Sequence, residues 1–238
     1  MPGTAGRAPV VVFGDVIDDV IVTPGGDIRP DTDTPALIER RPGGSAANAA
    51  AWFGHLGLPV HFFGRVHTDD VAAHGALLAA AGVTPHLLGE PELPTGTIVV
   101  ILQPDRTRTM LTSRGANAGT SAQDVDRALL APGGHLHFTG YSLFSDTGEA
   151  AVAEFARLIQ DARGRGASVS VNPGSAGFLA DHGVASLFEA TAGAELVIPN
   201  LDEGRELTGA HSPEAVLEAL LERYEIVALT MGRGGVLA

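Results

Sequence analysis

Three carboxylates within five residues, Asp15, Asp18 and Asp19, follow the apolar run Val10–Phe13 and the glycine Gly14. Acids this close together at a strand end could bind a metal, hydrogen-bond sugar hydroxyls, or stand as solvated turn residues. A second polar group lies at Gly43-Gly44, a pair that lets the backbone turn sharply and a ligand come close. An alanine-rich helical run follows, with Asn48 as its polar guest. Ser45 is expected to cap this helix, which puts Asn48 in the first turn, where unpaired N–H groups and the positive end of the dipole collect. The Asn48 amide either serves a ligand or satisfies a nearby loop carbonyl, and the pattern alone leaves both open. His135 and His137 share one face of a strand and could ligate a metal, but no third ligand falls in pattern and a structural role is favoured.

The composition narrows the chemistry. The chain has 238 residues, 45% of them hydrophobic, enough to bury a full core as one large domain or two small ones. Cysteine is absent, which excludes disulfides and thiolate metal sites and suits a reducing cytoplasm. A formal charge of -13 without a basic cluster argues against nucleic acid. All fifteen basic residues are arginine, so there is no P-loop lysine, kinase strand lysine or Schiff base. Phosphate, if handled, falls to arginine, backbone N–H groups and helix ends. Val10–Phe13 is too short for a signal-peptide core, and the longest nearly uncharged stretch, Asn48–Gly64, is too interrupted to span a membrane.

The elements that must position these residues alternate. Val10–Phe13 reads as a strand buried on both faces, and no G-x-G-x-x-G follows it, so a dinucleotide site loses its main support. Val20–Arg41 is a β excursion broken by glycine and proline; the Ser45 helix follows, then a strand at Pro59–Phe63 and a helix at Val71–Ala81 ended by Gly82. Thr97–Leu102 and Arg108–Thr112 form a hairpin around Pro104-Asp105-Arg106. A loop at Gly115-Ala116-Asn117, a short helix at Asp124–Leu130, a strand at His135–Thr139 and an amphipathic helix at Thr147–Arg165 come next. Strands at Val169–Val171, Leu196–Ile198 and Ile226–Thr230 are interleaved with helices at Gly183–Ala190, from Asn200 toward Leu207, and at Pro213–Arg223. This alternation predicts an α/β fold, a doubly wound, mostly parallel sheet flanked by helices.

Taken in order, these residues resemble the PfkB, or ribokinase-like, family of carbohydrate and nucleoside kinases, from Val10 to the last residue. Gly14, with Asp19 five residues on, looks like the family's strand-end glycine and sugar-binding aspartate. Gly43-Gly44 followed by Asn48, Ala50 and Leu56-Gly57 is similar to its first sequence pattern. Gly64 with Asp69-Asp70 and Gly75 is a looser match to its G-x-x-G-x-D-x-x-G segment, because Arg65-Val66-His67-Thr68 intervenes. Asn172-Pro173 resembles the ribokinase Asn-Pro turn, Asn200-x-x-Glu203 the N-x-x-E motif, and Thr230-x-Gly232-x-x-Gly235 the nucleotide-side strand end. Each is weak alone; their order and spacing carry the resemblance.

The resemblance implies one ribokinase-like domain over residues 1–238 with a small β lid from inserts at about 20–41 and 97–112. It implies phosphoryl transfer from ATP to a hydroxyl of a small sugar, with Mg2+ and room for a monovalent cation. Asp19, Gly43, Gly44 and Asn48 would bind acceptor hydroxyls, with Arg108 on the lid and Tyr141 as further acceptor-side candidates. Asn172, Asn200, Glu203, Thr230, Gly232 and Gly235 would lie on the nucleotide side, Glu203 meeting magnesium through water. One departure stands out: the family's D-T-x-G-A-G-D segment, source of the catalytic base, does not occur in these residues. The resemblance places that aspartate beyond Ala238, the last residue. The catalytic residue is therefore unassigned, and the expectation is a chain truncated relative to its parent and a very poor kinase by itself. The alternatives are an adenosine-type nucleoside kinase, disfavoured because only Tyr141 offers an aromatic ring near the lid, and a non-catalytic sugar-binding or sensory relative. Apolar lid strands suggest a homodimer.

Overall fold

A computed structural model describes residues 6–103, 105, 107–143 and 148–238. The turn residues Pro104 and Arg106 and the expected helix start at Thr147 lie outside these. The first strand, β1 (Val10–Phe13), is apolar throughout because it is buried on both sides. Its alternate residues divide between two cores: Val11 and Phe13 enter one cluster, Val10 and Val12 the other. Phe13 meets Phe138 and Phe155 with ring centroids 5.4 Å away in each case.

The chain then leaves for a second sheet with β2 (Ile17–Pro24) and β3 (Ala36–Gly43), and returns through helix α1 (Ser45–His55) to β4 (Val60–His67). Helix α2 (Val71–Ala80) leads to β5 (Val83–Glu90). The strand β5 has no clear pattern in the sequence. Its Pro85 and Gly89 look like breakers, yet it is an edge strand beside β4, where a proline can face away from the ladder. The hairpin β6 (Gly96–Leu102) and β7 (Arg108–Ser113) completes the second sheet in the order β3-β2-β6-β7. Its registers place Ile17 opposite both Gly43 and Gly96, and Asp19 opposite Arg41 and Ile98.

Between this hairpin and the next core strand the expected helix at 124–130 is instead two single 3-10 turns, Ala122–Asp124 and Arg127–Leu129. The Asp126 carboxylate accepts from the Ala128 N–H and restarts the turn, a local bond that competes with a continuous helix. Then come β8 (His135–Thr139), α3 (Gly140–Leu143), α4 (Gly148–Gly164), β9 (Ser168–Asn172), α5 (Ala176–His182), α6 (Val184–Ala190) and β10 (Leu196–Val197). Helix α5 also lacks a clear pattern, being short, containing Gly177 and ending at Gly183, but Ser175 caps it by accepting from the Phe178 N–H. The chain finishes with α7 (Leu201–Thr208), α8 (Pro213–Leu221), β11 (Ile226–Val227), β12 (Leu229–Thr230) and β13 (Val236–Leu237).

The main sheet is parallel and runs β11-β10-β9-β8-β1-β4-β5. From β1 the chain builds outward through β4 and β5, then crosses to β8 and builds the other way. The strand order therefore reverses between β1 and β8, the place where open α/β sheets bind ligands beyond their carboxyl ends. No helix of the described residues is long and apolar enough to cross a membrane.

Candidate active site

At the reversal point β1 ends in Gly14-Asp15, and the half-buried Asp15 turns back onto helix α1. One carboxylate oxygen accepts from the Ser45 N–H at 2.6 Å; the other accepts from the Ala46 N–H at 3.2 Å and from the Thr139 hydroxyl at 3.1 Å. Ser45 is thus the first helical residue rather than the cap. The cap is Gly44, at φ 101°, and its side-chain task is done from thirty residues away by Asp15. Only glycine suits Gly44, since its φ is positive and a methyl there would strike the Asp15 carbonyl.

Gly43, just before the cap, lies against the Asp19 carboxylate with no room for a methyl group. Asp19 is half-buried, and its pKa is pushed up first by desolvation and then by the charges of Asp15 and Asp18. Asn48 stands exposed one turn into α1, its own N–H bonded to the Gly44 carbonyl at 2.9 Å. Its side chain makes no hydrogen bond to any described residue, so it does not satisfy a loop carbonyl.

The ends of β9, β10 and β12 form the other half of the edge. The Asn172 amide donates to the Ile198 carbonyl at 2.9 Å while its oxygen accepts from the Gly174 N–H at 3.0 Å. Asn200 caps α7 in a reciprocal box with Glu203: the Glu203 N–H donates to the Asn200 side-chain oxygen at 2.9 Å, and the Asn200 N–H donates to the Glu203 carboxylate at 2.8 Å. The Asn200 amide also donates to that carboxylate. Glu203 is only 5% exposed, and burial pushes its pKa up to about 7 against the lowering effect of the Asn200 N–H. Thr230 sits beside Asn200, its N–H donating to the Pro199 carbonyl at 2.9 Å.

Tyr141 joins the two halves. The residue is half-buried, and its pKa is raised mainly by burial against the lowering effect of Ser175, with smaller raising effects from the charges of Asp15 and Glu203. Asp19, Gly43, Gly44 and Asn48 therefore form one group, Asn172, Asn200, Glu203 and Thr230 a second, and Tyr141 stands between. Gly232 and Gly235 lie on an exposed turn after Thr230. Arg108 is exposed and pairs with Leu102, four strand positions beyond the Asp19 partner Ile98, roughly 13 Å along the sheet. Ala238 follows β13 directly and is exposed, and the Gly-Ala-Gly-Asp aspartate expected beyond it has no counterpart in the sequence up to that point. No catalytic base is therefore assigned among the described residues.

Two more residues take defined places at this edge: Asn117, which the sequence marks only as part of a loop, and Arg114, which with Arg108 would suit an anionic acceptor or serve solubility. The buried Asn117 accepts from the Val16 N–H at 2.9 Å and donates to the Val16 carbonyl at 2.7 Å, fixing the link between Asp15 and Asp19 across 101 residues. Arg114 donates to the Tyr141 carbonyl at 2.6 Å and lies over the Phe178 ring at 5.7 Å. By contrast, His135 and His137 are structural. His135 bonds Ser168 and Ser170 at 2.7 Å each, and His137 bonds Ser170 at 2.8 Å. Burial lowers the His137 pKa to about 4, and among the described residues no group of three or more His, Asp or Glu could hold a metal.

Similar proteins point the same way. The chain is 31% identical over 237 residues to the bifunctional protein HldE of Shewanella sp. (strain ANA-3), an alignment covering 95% of this chain and 47% of that protein. The chain thus spans about half the length of the curated relatives it matches. Adenosine kinase from Sinorhizobium meliloti superposes with a TM-score of 0.79 at 21% identity, covering 98% of this chain and 76% of that one. Fructokinase with bound ATP from Xylella fastidiosa gives 0.75 at 20% identity, covering 97% and 74%. These likenesses establish the ribokinase-like fold. The description of the pfkB family of carbohydrate kinases matches residues 7–238, and the chain belongs to that family.

Proposed function

We propose that this chain binds a small sugar or sugar derivative and presents one of its hydroxyls to the terminal phosphate of ATP, with Mg2+ as counter-charge. The observation that carries the reading is the meeting, on one sheet edge at the strand-order reversal, of Asp19, Gly43, Gly44 and Asn48 with a buried acid, Glu203, a few strands away. An ionised carboxylate accepts from sugar hydroxyls, and the Asn48 amide can both donate and accept. Phosphoryl transfer asks for positioning and charge neutralisation more than covalent help, which suits such a set.

Glu203 fits a magnesium ion met through water. Its oxygens already face Asn200, and Mg2+ keeps several waters while taking one or two carboxylates and substrate phosphates. A bound ion would favour the charged form of Glu203 and neutralise the transferring phosphoryl group. Asn172, Asn200 and Thr230 would line the nucleotide side. In this reading the second sheet is a lid that keeps out water, which competes as acceptor. Exposed Leu37, Ile38, Met110 and Leu111 on it support pairing of two chains through the lid.

A sugar is favoured over a nucleoside because the Phe178 face beside Tyr141 is taken by Arg114 rather than offered to a base. These residues hold no Gly-Ala-Gly-Asp sequence, and the proposal includes slow turnover by the chain alone. Calorimetry with ketoses, pentoses, sugar acids, sugar phosphates and adenosine, beside a coupled ADP-release assay, tests it. Binding of a sugar with little turnover is expected. Preference for adenosine would replace the sugar by a nucleoside, and no binding by any compound would remove the acceptor-site reading.

A further inference from the structure

Asp15 holds the start of α1 with unusual completeness. Its carboxylate takes the Ser45 and Ala46 N–H groups, and its own main-chain carbonyl takes the Ala47 N–H at 3.3 Å. The Asn48 N–H makes the first intrahelical bond, to Gly44. The N–H groups that a helix start leaves without intrahelical partners are here occupied by one residue thirty positions earlier in the chain. An anion of the protein's own thus fills the place where a phosphate would otherwise gather. The same contacts bind the Gly43–Gly44 turn to the end of β1, with Gly44 pressed on the Asp15 carbonyl and Gly43 on Asp19.

We propose that Asp15 is a positioning residue of the acceptor site, an internal anion that fixes the Gly43–Gly44 turn and places a negative charge beside Asp19. The inference rests on the acceptor-site reading given above. The charged groups around Asp19 are Asp15 at the end of β1, Asp18 on its own strand and Arg41 opposite on β3. Arg41 is exposed and paired with Glu39 at 3.1 Å, and Asp18 faces His74 of α2 at 3.4 Å. Among the described residues no cation is paired to Asp19, so the two aspartates act on it unopposed, consistent with its raised pKa.

The test is a carbon-detected NMR titration of the Asp19 carboxyl in the ligand-free chain, comparing wild type with Asp15→Asn. Removing the Asp15 charge is expected to lower the Asp19 midpoint. Inorganic phosphate, inert toward the wild type, is expected to shift the Ser45, Ala46 and Ala47 amide signals of the variant. A folded variant with an unchanged Asp19 midpoint would overturn the proposal, because a purely structural cap does not move that titration. If Asp15→Asn does not fold, Asp15→Ser takes its place, a variant without the charge whose hydroxyl can still accept from the start of α1. An Asp19 midpoint unmoved in that folded variant would equally refute it. A wild type that binds no sugar would sink the acceptor-site reading, while the titration still reports on Asp15.

Discussion

Replacing Glu203 by glutamine should make the chain more stable at neutral pH, and the size of the gain follows from its burial. Folding raises the pKa of this acid from 4.5 to about 7. The folded state therefore keeps a proton that the unfolded chain has released, and wild-type stability falls as pH rises through that window. At about 1.36 kcal/mol per pH unit the loss is at most about 3 kcal/mol, and relaxation with partial solvent access reduces it to about 2 kcal/mol. Glutamine is the other residue that serves at this position of a capping box, so the start of α7 is kept while the titration disappears. The stability of Glu203→Gln relative to wild type should then rise by about 2 kcal/mol between pH 4.5 and 8. Urea unfolding in EDTA, followed by far-ultraviolet circular dichroism, measures it; Trp52 is 67% exposed and a poor fluorescence reporter. A difference that stays constant across this range would refute the argument that burial controls this carboxyl.

Asn48→Ala removes an exposed amide without a hydrogen-bond partner among the described residues and inserts a better helix former. Stability should be unchanged or up by about 0.5 kcal/mol while sugar affinity falls at least about tenfold in calorimetry; intact affinity would take Asn48 out of the site. His137 works in the opposite sense to Glu203. Its pKa falls from 6.5 to about 4, so the stability it brings is present above pH 6.5 and is lost as pH drops toward 4. His137→Phe should flatten that acid limb of the urea profile, and a variant that loses stability on acidification just as the wild type does would exclude His137 as the cause.

Much of this architecture is local enough to be legible without coordinates. The run Val10–Phe13 is of the kind that forms a strand covered on both faces, His135–Thr139 is a strand as its pattern suggests, and Asn200-x-x-Glu203 announces a helix start that the structure reproduces as a capped one. What escaped depended on context. The strand β5 survives its proline because it lies at an edge, and the turns at 122–129 fail to join because Asp126 bonds locally. Ser45 looked like a cap because serine usually is one, but a better acceptor reached the same N–H groups from β1.

The sequence by itself determined the α/β alternation, the pfkB resemblance and the set of polar residues that end the strands, because periodicity, turn chemistry and capping act over a few neighbouring residues. Only the tertiary structure decided what each polar group faces. Of the three clustered acids, Asp15 turns to α1, Asp18 to His74, and Asp19 to Gly43. Asn117 clamps Val16, and Glu203 is buried deeply enough to resist ionisation. The physical reason is that a carboxylate or amide takes its partner and its desolvation from groups brought together by parallel strands far apart in the chain, and no local pattern records that convergence.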